Sequence, residues 1–123
     1  MAFERFISKG FKLTPQITLN NTGGFGLSSG MHKKYNVDKY LAVELYYDKE
    51  DAKIGIKLLE NESDFSFKLK KRPEQKGAYF GAKSFLQSYS IDPKTYSGRY
   101  MPEEVEDKDF GKLFVIKLMS NQK

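Results

Sequence analysis

The chain has 123 residues, with ten Phe and eight Tyr but no Trp, and 30% of it is charged, which is the profile of one small folded β-rich domain rather than of a disordered segment. It has no cysteine and a single histidine, His32, which excludes disulfides, thiol catalysis and cysteine-based zinc sites and disfavours a His-rich metal site. Lys and Arg number 21 against 16 Asp and Glu, a formal net charge of +5 that leans towards polyanions such as nucleic acid; no apolar run is long enough to span a bilayer, so a cytoplasmic protein without membrane contact is expected.

In residues 1–16, Phe3, Phe6 and Ile7 have helical spacing while Phe11 and Leu13 alternate as in a strand, so periodicity leaves the local structure open. This stretch reads as an N-terminal arm stopped near Pro15, with its aromatic side chains covering a sheet edge or one end of the core. Docking on a partner is the alternative.

Ile17 and Leu19 alternate with Thr18 and Asn20, the pattern of a strand with one buried face. The run Asn20, Asn21, Thr22, Gly23, Gly24 then predicts a tight reversal, because Asn and Gly tolerate positive φ. The glycines do not have the spacing of a phosphate-binding loop, and no long strand-loop-helix unit follows them. Phe25 and Leu27 continue the inward alternation, and Ser28 or Ser29 caps a short helix near 29–36. On that helix Met31 and Tyr35 are expected inward, with His32 and Lys33 towards solvent.

YLAVELYY, an acidic tip at Asp48, Glu50 and Asp51, and KIGIKLL predict a hairpin. The tip lacks the spacing of a calcium loop and reads as solvated. After the polar connector 60–64, Phe65, Phe67 and Leu69 are expected inward, with Lys68 and Lys70 on the opposite face. The turn KKRPEQKG, a strand at 78–81, a helix near 82–90 and a terminal hairpin complete the chain.

This second half repeats the first in pattern. A constant shift matches Gly23 to Gly77, Phe25 to Tyr79, Met31 to Phe85, Tyr35 to Tyr89 and Val37 to Ile91, and Ile54, Ile56 and Leu58 correspond to Phe114, Ile116 and Leu118. The alignment makes Tyr79 and Tyr89 core residues. Between these anchors the loop TYSGRYMPEEVEDKDFGK, with Pro102 and an acidic run at 103–109, reads as an exposed excursion and a poor central strand. The expected fold is therefore α+β, mostly β: a single domain, 1–123, of two tandem ββαββ cassettes, 17–59 and 65–119, related by a pseudo-twofold, with a homodimer as a further option.

The order strand, glycine turn, strand, short helix and acid-tipped hairpin in TLNNTGGFGLSSGMHKKYNVDKYLAVELYYDKEDAKIGIKLL resembles the swapped-hairpin DNA-binding family of AbrB, SpoVT and MraZ regulators. The resemblance covers 17–59, with a looser echo in 65–119, and it implies that fold and a DNA-binding role. Where that family carries a DNA-contacting Arg after the turn glycine this chain has Gly24 and Ala78, and Ser28 and Ala82 replace its strand-closing Pro. KGAYFGAKSFLQ is similar over about a dozen residues to the strand-to-helix segment of the transcription positive coactivator, which implies single-stranded DNA binding.

From the residues themselves, the best nucleic-acid surface is Lys68, Lys70, Lys71, Arg72 and Lys76, with Lys33 and Lys34 as a second group. Such side chains bind phosphate without reading sequence, and Tyr79 and Tyr89 would add stacking if exposed. Lysines protecting a sheet edge are the plain alternative. No catalytic constellation accompanies them: His32 is the sole imidazole and has no nucleophile motif beside it. The expectation is a non-enzymatic nucleic-acid-binding protein of regulatory or accessory type, without cofactor or metal, with DNA ahead of RNA as partner. A protein-interaction or assembly module is the rival, favoured by the absent turn arginines and the acidic loop.

Overall fold

A computed structural model describes residues 15–120. All but the last two residues of the N-terminal arm, and with them its expected role, lie outside the described residues. The described chain is α+β and mostly β, two antiparallel five-stranded sheets with a few short helices. The strands are β1 (Ile17–Leu19), β2 (Gly24–Leu27), β3 (Ala42–Asp48), β4 (Lys53–Leu59), β5 (Phe67–Lys68), β6 (Lys70–Lys71), β7 (Ala78–Gly81), β8 (Gly98–Tyr100), β9 (Glu103–Asp107) and β10 (Gly111–Lys117). The first sheet has the order β6-β7-β2-β1-β8 and the second β5-β3-β4-β10-β9. Two chain segments serve both: 67–71 pairs first with β3 and then with β7, and 98–107 first with β1 and then with β10. One core lies between the sheets, built from Ile17, Leu19, Phe25 and Phe80 on one side and Val43, Ile54, Ile56 and Ile116 on the other.

Local chemistry explains the first elements. Asn20 folds its carboxamide back over the β1–β2 turn, and its Oδ1 accepts from the Thr22 amide at 3.1 Å, the Thr22 hydroxyl at 2.7 Å and the Gly24 amide at 2.9 Å. The Ser28 hydroxyl accepts from Met31 N at 3.2 Å and so caps helix α1 (Ser29–Tyr35); it also accepts from Gln16 N at 2.9 Å, which ties the helix start to the chain entering β1. A cap of this kind contributes about 1 kcal/mol. Asn36, at φ 50, ends α1 in the left-handed region, and a 3₁₀ turn (Val37–Lys39) leads into β3. In the second half, α2 (Lys83–Ser88) and α3 (Pro93–Tyr96) occupy the stretch between β7 and β8.

Several expectations are corrected. His32 is 1% exposed rather than solvent-facing, because Gly77, distant in the chain, and the nearby Asp38 receive its ring. Phe65 is 83% exposed rather than inward: Ser63 and Ser66 form a turn around it, with Ser66 N and Oγ both donating to Ser63 O, so regular pairing begins only at Phe67. Tyr79 and Tyr89 are exposed rather than core. In β7 the inward residues are Ala78 and Phe80, and it is Phe80 that lies opposite Phe25, the rings stacked with centroids 5.2 Å apart. The alternation in the second half therefore runs one residue out of phase with the expected Phe25 to Tyr79 match. The acidic stretch is no excursion either, since Glu103–Asp107 pairs along β10 as an edge strand whose outer side accepts the carboxylates.

Candidate functional site

The outer face of the first sheet is the most distinctive surface of the molecule. Register places Lys70 opposite Tyr79, Tyr79 opposite Gly26, Gly26 opposite Thr18 and Thr18 opposite Arg99. Residues directly opposite on neighbouring strands share a face, so these five form one row across the whole sheet, roughly 19 Å long at ordinary strand spacing. Lys70 and Arg99 stand exposed at its two ends, and Tyr79 is 43% exposed near one of them. The middle is low, because Gly26 and, one step along the strands, the opposed pair Gly24 and Gly81 carry no side chain.

A groove of about 480 Å³ runs along this floor. Arg72, Lys76 and Arg99 contribute to its lining, and among the described residues no acidic one does. The Arg72 guanidinium lies over the Tyr79 ring, 5.4 Å from its centroid, so the aromatic face is extended by a planar cation. Lys76 pairs with Glu74, whose carboxylate lies 3.3 Å from Lys76 Nζ, with both side chains largely in solvent. Such an exposed pair contributes little and yields readily to a competing phosphate.

The segment carrying these cations is held from behind. Arg72 N donates to Gly77 O at 2.8 Å, which closes the turn between β6 and β7. Gly77 has φ +116, and a Cβ there would stand 2.3 Å from Leu27 O, so only glycine fits this close approach to β2. His32 Nδ1 lies 3.2 Å from both the amide nitrogen and the carbonyl oxygen of Gly77, and its Nε2 lies 2.7 Å from Asp38 Oδ1. Lys71 Nζ donates to the Asp38 carbonyl at 2.7 Å. His32 and Lys71 thus clamp the turn to α1 and the 3₁₀ turn. A buried imidazole spent on two internal bonds is a structural part, and its burial explains why it is absent from the surface.

The sequence-derived candidates divide accordingly. Lys70, Arg72 and Lys76 come together around Tyr79. Lys71 bonds to the Asp38 carbonyl, and Lys68 belongs to β5, opposite Ala42 in the other sheet. Lys33 and Lys34 are exposed on α1, and Lys34 lines a separate groove that shares no residue with this one. Sequence reasoning missed Arg99 altogether. Its signal is slight: Gly98-Arg99-Tyr100 is a three-residue strand whose pairing partner, β1, lies at the opposite end of the chain.

Among the described residues no helix is long and apolar enough to cross a membrane. In comparisons with protein-family models, curated proteins and solved structures, the chain matches none.

Proposed function

We propose that the protein is a non-enzymatic nucleic-acid-binding protein of regulatory or accessory type, and that the outer face of the first sheet takes a single strand, DNA in the first instance. The observation that carries this reading is the row itself: an exposed Tyr79 with Arg72 over its ring, cations at both ends and a glycine floor between them. Base-aromatic stacking tolerates any sequence, and lysine and arginine beside it neutralise the backbone. Glycine in a strand interior is favoured where another backbone comes close. A flat sheet face of this width suits an extended strand better than the major groove of a duplex, into which it would have to project a helix or ribbon.

The same proposal includes the finer fold: two related ββαββ cassettes about a pseudo-twofold. It is supported by the antiparallel contact of β2 with β7 in one sheet and of β4 with β10 in the other, where Ile54 faces Ile116 and Ile56 faces Phe114. In this reading the cations of the site replace the turn arginine of the resembled family, because Asn20 occupies the space beside Gly24, where an added Cβ would lie 2.9 Å from Asn20 Nδ2.

Anisotropy titrations of labelled single-stranded and duplex DNA and RNA, over a salt series, test the function. Saturable single-strand binding with log K falling by about 0.7 per neutralised phosphate per decade of salt is expected. No binding to any of the four at low salt would falsify it, and a co-purified protein retained through that salt series would transfer the function to the assembly reading.

A further inference from the structure

The second groove, about 400 Å³, opens where the end of α1 meets the ends of β4 and β10. Lys34 reaches it from α1, Lys39 from the 3₁₀ turn and Lys112 from β10, while Lys57 borders it from β4 with its side chain on the outer face beside Glu44; among the described residues no acidic one is part of the lining. In sequence these four are scattered, so the cluster exists only in the fold. Its walls are aromatic: Lys34 Nζ and Lys112 Nζ lie 5.5 and 5.2 Å from the centroid of the same Tyr35 ring, and Lys39 Nζ lies 5.1 Å from that of Tyr40. Two ammonium groups over one ring repel each other, and the available counter-charge is peripheral. Glu104 is 3.8 Å from Lys112, Glu60 is 3.8 Å from Lys39, and Glu44 lies opposite Lys57 on β3. With Lys57 and Glu44 on the outer face, two peripheral carboxylates thus face three converging lysines, Glu104 also bonding the Tyr35 hydroxyl, and the exposed pairs among them are worth little.

We infer that this groove is a second ligand site, for a nucleoside polyphosphate: the lysines take the phosphate chain and the Tyr35 and Tyr40 rings flank the base. Its volume falls within the roughly 300–1,000 Å³ typical of small-molecule sites. The phosphates supply anionic charge for the lysines of the lining, and a base supplies a further aromatic surface beside the Tyr35 ring, which already packs edge-on against Phe114 with centroids 4.6 Å apart. Sharing no residue with the sheet groove, the site stands or falls independently of the nucleic-acid reading.

The full chain is titrated with ATP and with inorganic tripolyphosphate at low salt, followed by calorimetry and by tyrosine fluorescence, which no Trp obscures. Saturable binding of one equivalent is expected, tighter for ATP than for tripolyphosphate, with K34Q/K112Q weakening both by about tenfold or more and K70Q/R99Q leaving both unchanged. If K34Q/K112Q does not fold, K39Q carries the same test. Absence of saturable binding, equal losses in the two double variants, or displacement of ATP by one equivalent of single-stranded oligonucleotide would each overturn the proposal. A protein that binds ATP in this way but no oligonucleotide keeps this site and loses the sheet-face function.

Discussion

On the outer face of the second sheet Gly55 is covered: an added Cβ would stand 3.1 Å from Leu113 Cδ1, and alongside it Tyr46 stacks on Phe110 with centroids 4.2 Å apart. On the outer face of the first sheet, among the described residues, Gly81 has nothing within 4 Å of where its Cβ would be and Gly26 has only Thr18 Cβ at 3.9 Å. Glycine within a strand costs roughly 0.5–1 kcal/mol relative to alanine. At Gly55 the close approach of Leu113 offsets that cost from inside the molecule. At Gly26 and Gly81 nothing does, and neither has the positive φ that would demand glycine. The two sheets therefore use the same residue for opposite ends, one to admit its own side chain and the other to keep a surface low.

The contrast can be broken in several ways. The largest effect is expected at Gly77, where the positive φ and the 2.3 Å approach to Leu27 O both forbid a side chain. G77A should lower stability by about 3 kcal/mol or more in urea unfolding, and a smaller change would show that the turn relaxes away from β2. Next, G55V should cost about 1–3 kcal/mol by overpacking against Leu113, whereas G81V, in open space, should move the urea midpoint by less than the equivalent of about 0.5 kcal/mol. The same G81V raises the floor of the groove and should weaken single-strand binding; equal destabilisation by both substitutions would erase the distinction between the sheets.

Y79A comes third, with an expected loss of about 1–3 kcal/mol in oligonucleotide affinity and an unchanged circular dichroism spectrum. The smallest effect concerns the covered sheet. Burial first, and then the hydrogen bond its hydroxyl donates to Glu44 at 2.5 Å, push Tyr46 from its ordinary 10.0 up to about 12. A raised value in the folded state means that this contribution is fully present below pH 10 and fades as pH climbs towards 12. Y46F should therefore lower stability from neutrality up to about pH 10 and flatten the alkaline limb of the profile, and an unchanged alkaline limb would remove Tyr46 as its source.

What could be read in the sequence was local. The β1–β2 turn, the capped helix after Ser28 and the β3–β4 hairpin carry their own turn residues, caps and alternation, and the structure has all three where these signals place them. What could not be read depends on partners elsewhere in the chain. His32 on a seven-residue helix has no sequence cue for its bonds to Gly77 and Asp38. In AYFG either phase of alternation buries one aromatic residue, and packing against Phe25 decides for Phe80, leaving Tyr79 outside. The candidate face was thus half legible: the basic run through Lys76 is written in order, but its opposite end at Arg99 is set by strand pairing across nearly the whole chain.

That pairing also sets a timetable. β1 is among the first described segments to be synthesised, yet its partner Gly98–Tyr100 follows about 80 residues later. At roughly 5–20 residues per second, Thr18 waits several seconds for Arg99. Until then a growing chain can present Lys70 and Tyr79 but lacks the far end of the row. Ribosome-bound chains stalled before residue 98 should accordingly bind single strands more weakly than the released protein, because the row gains its second cationic end only once Arg99 has been made.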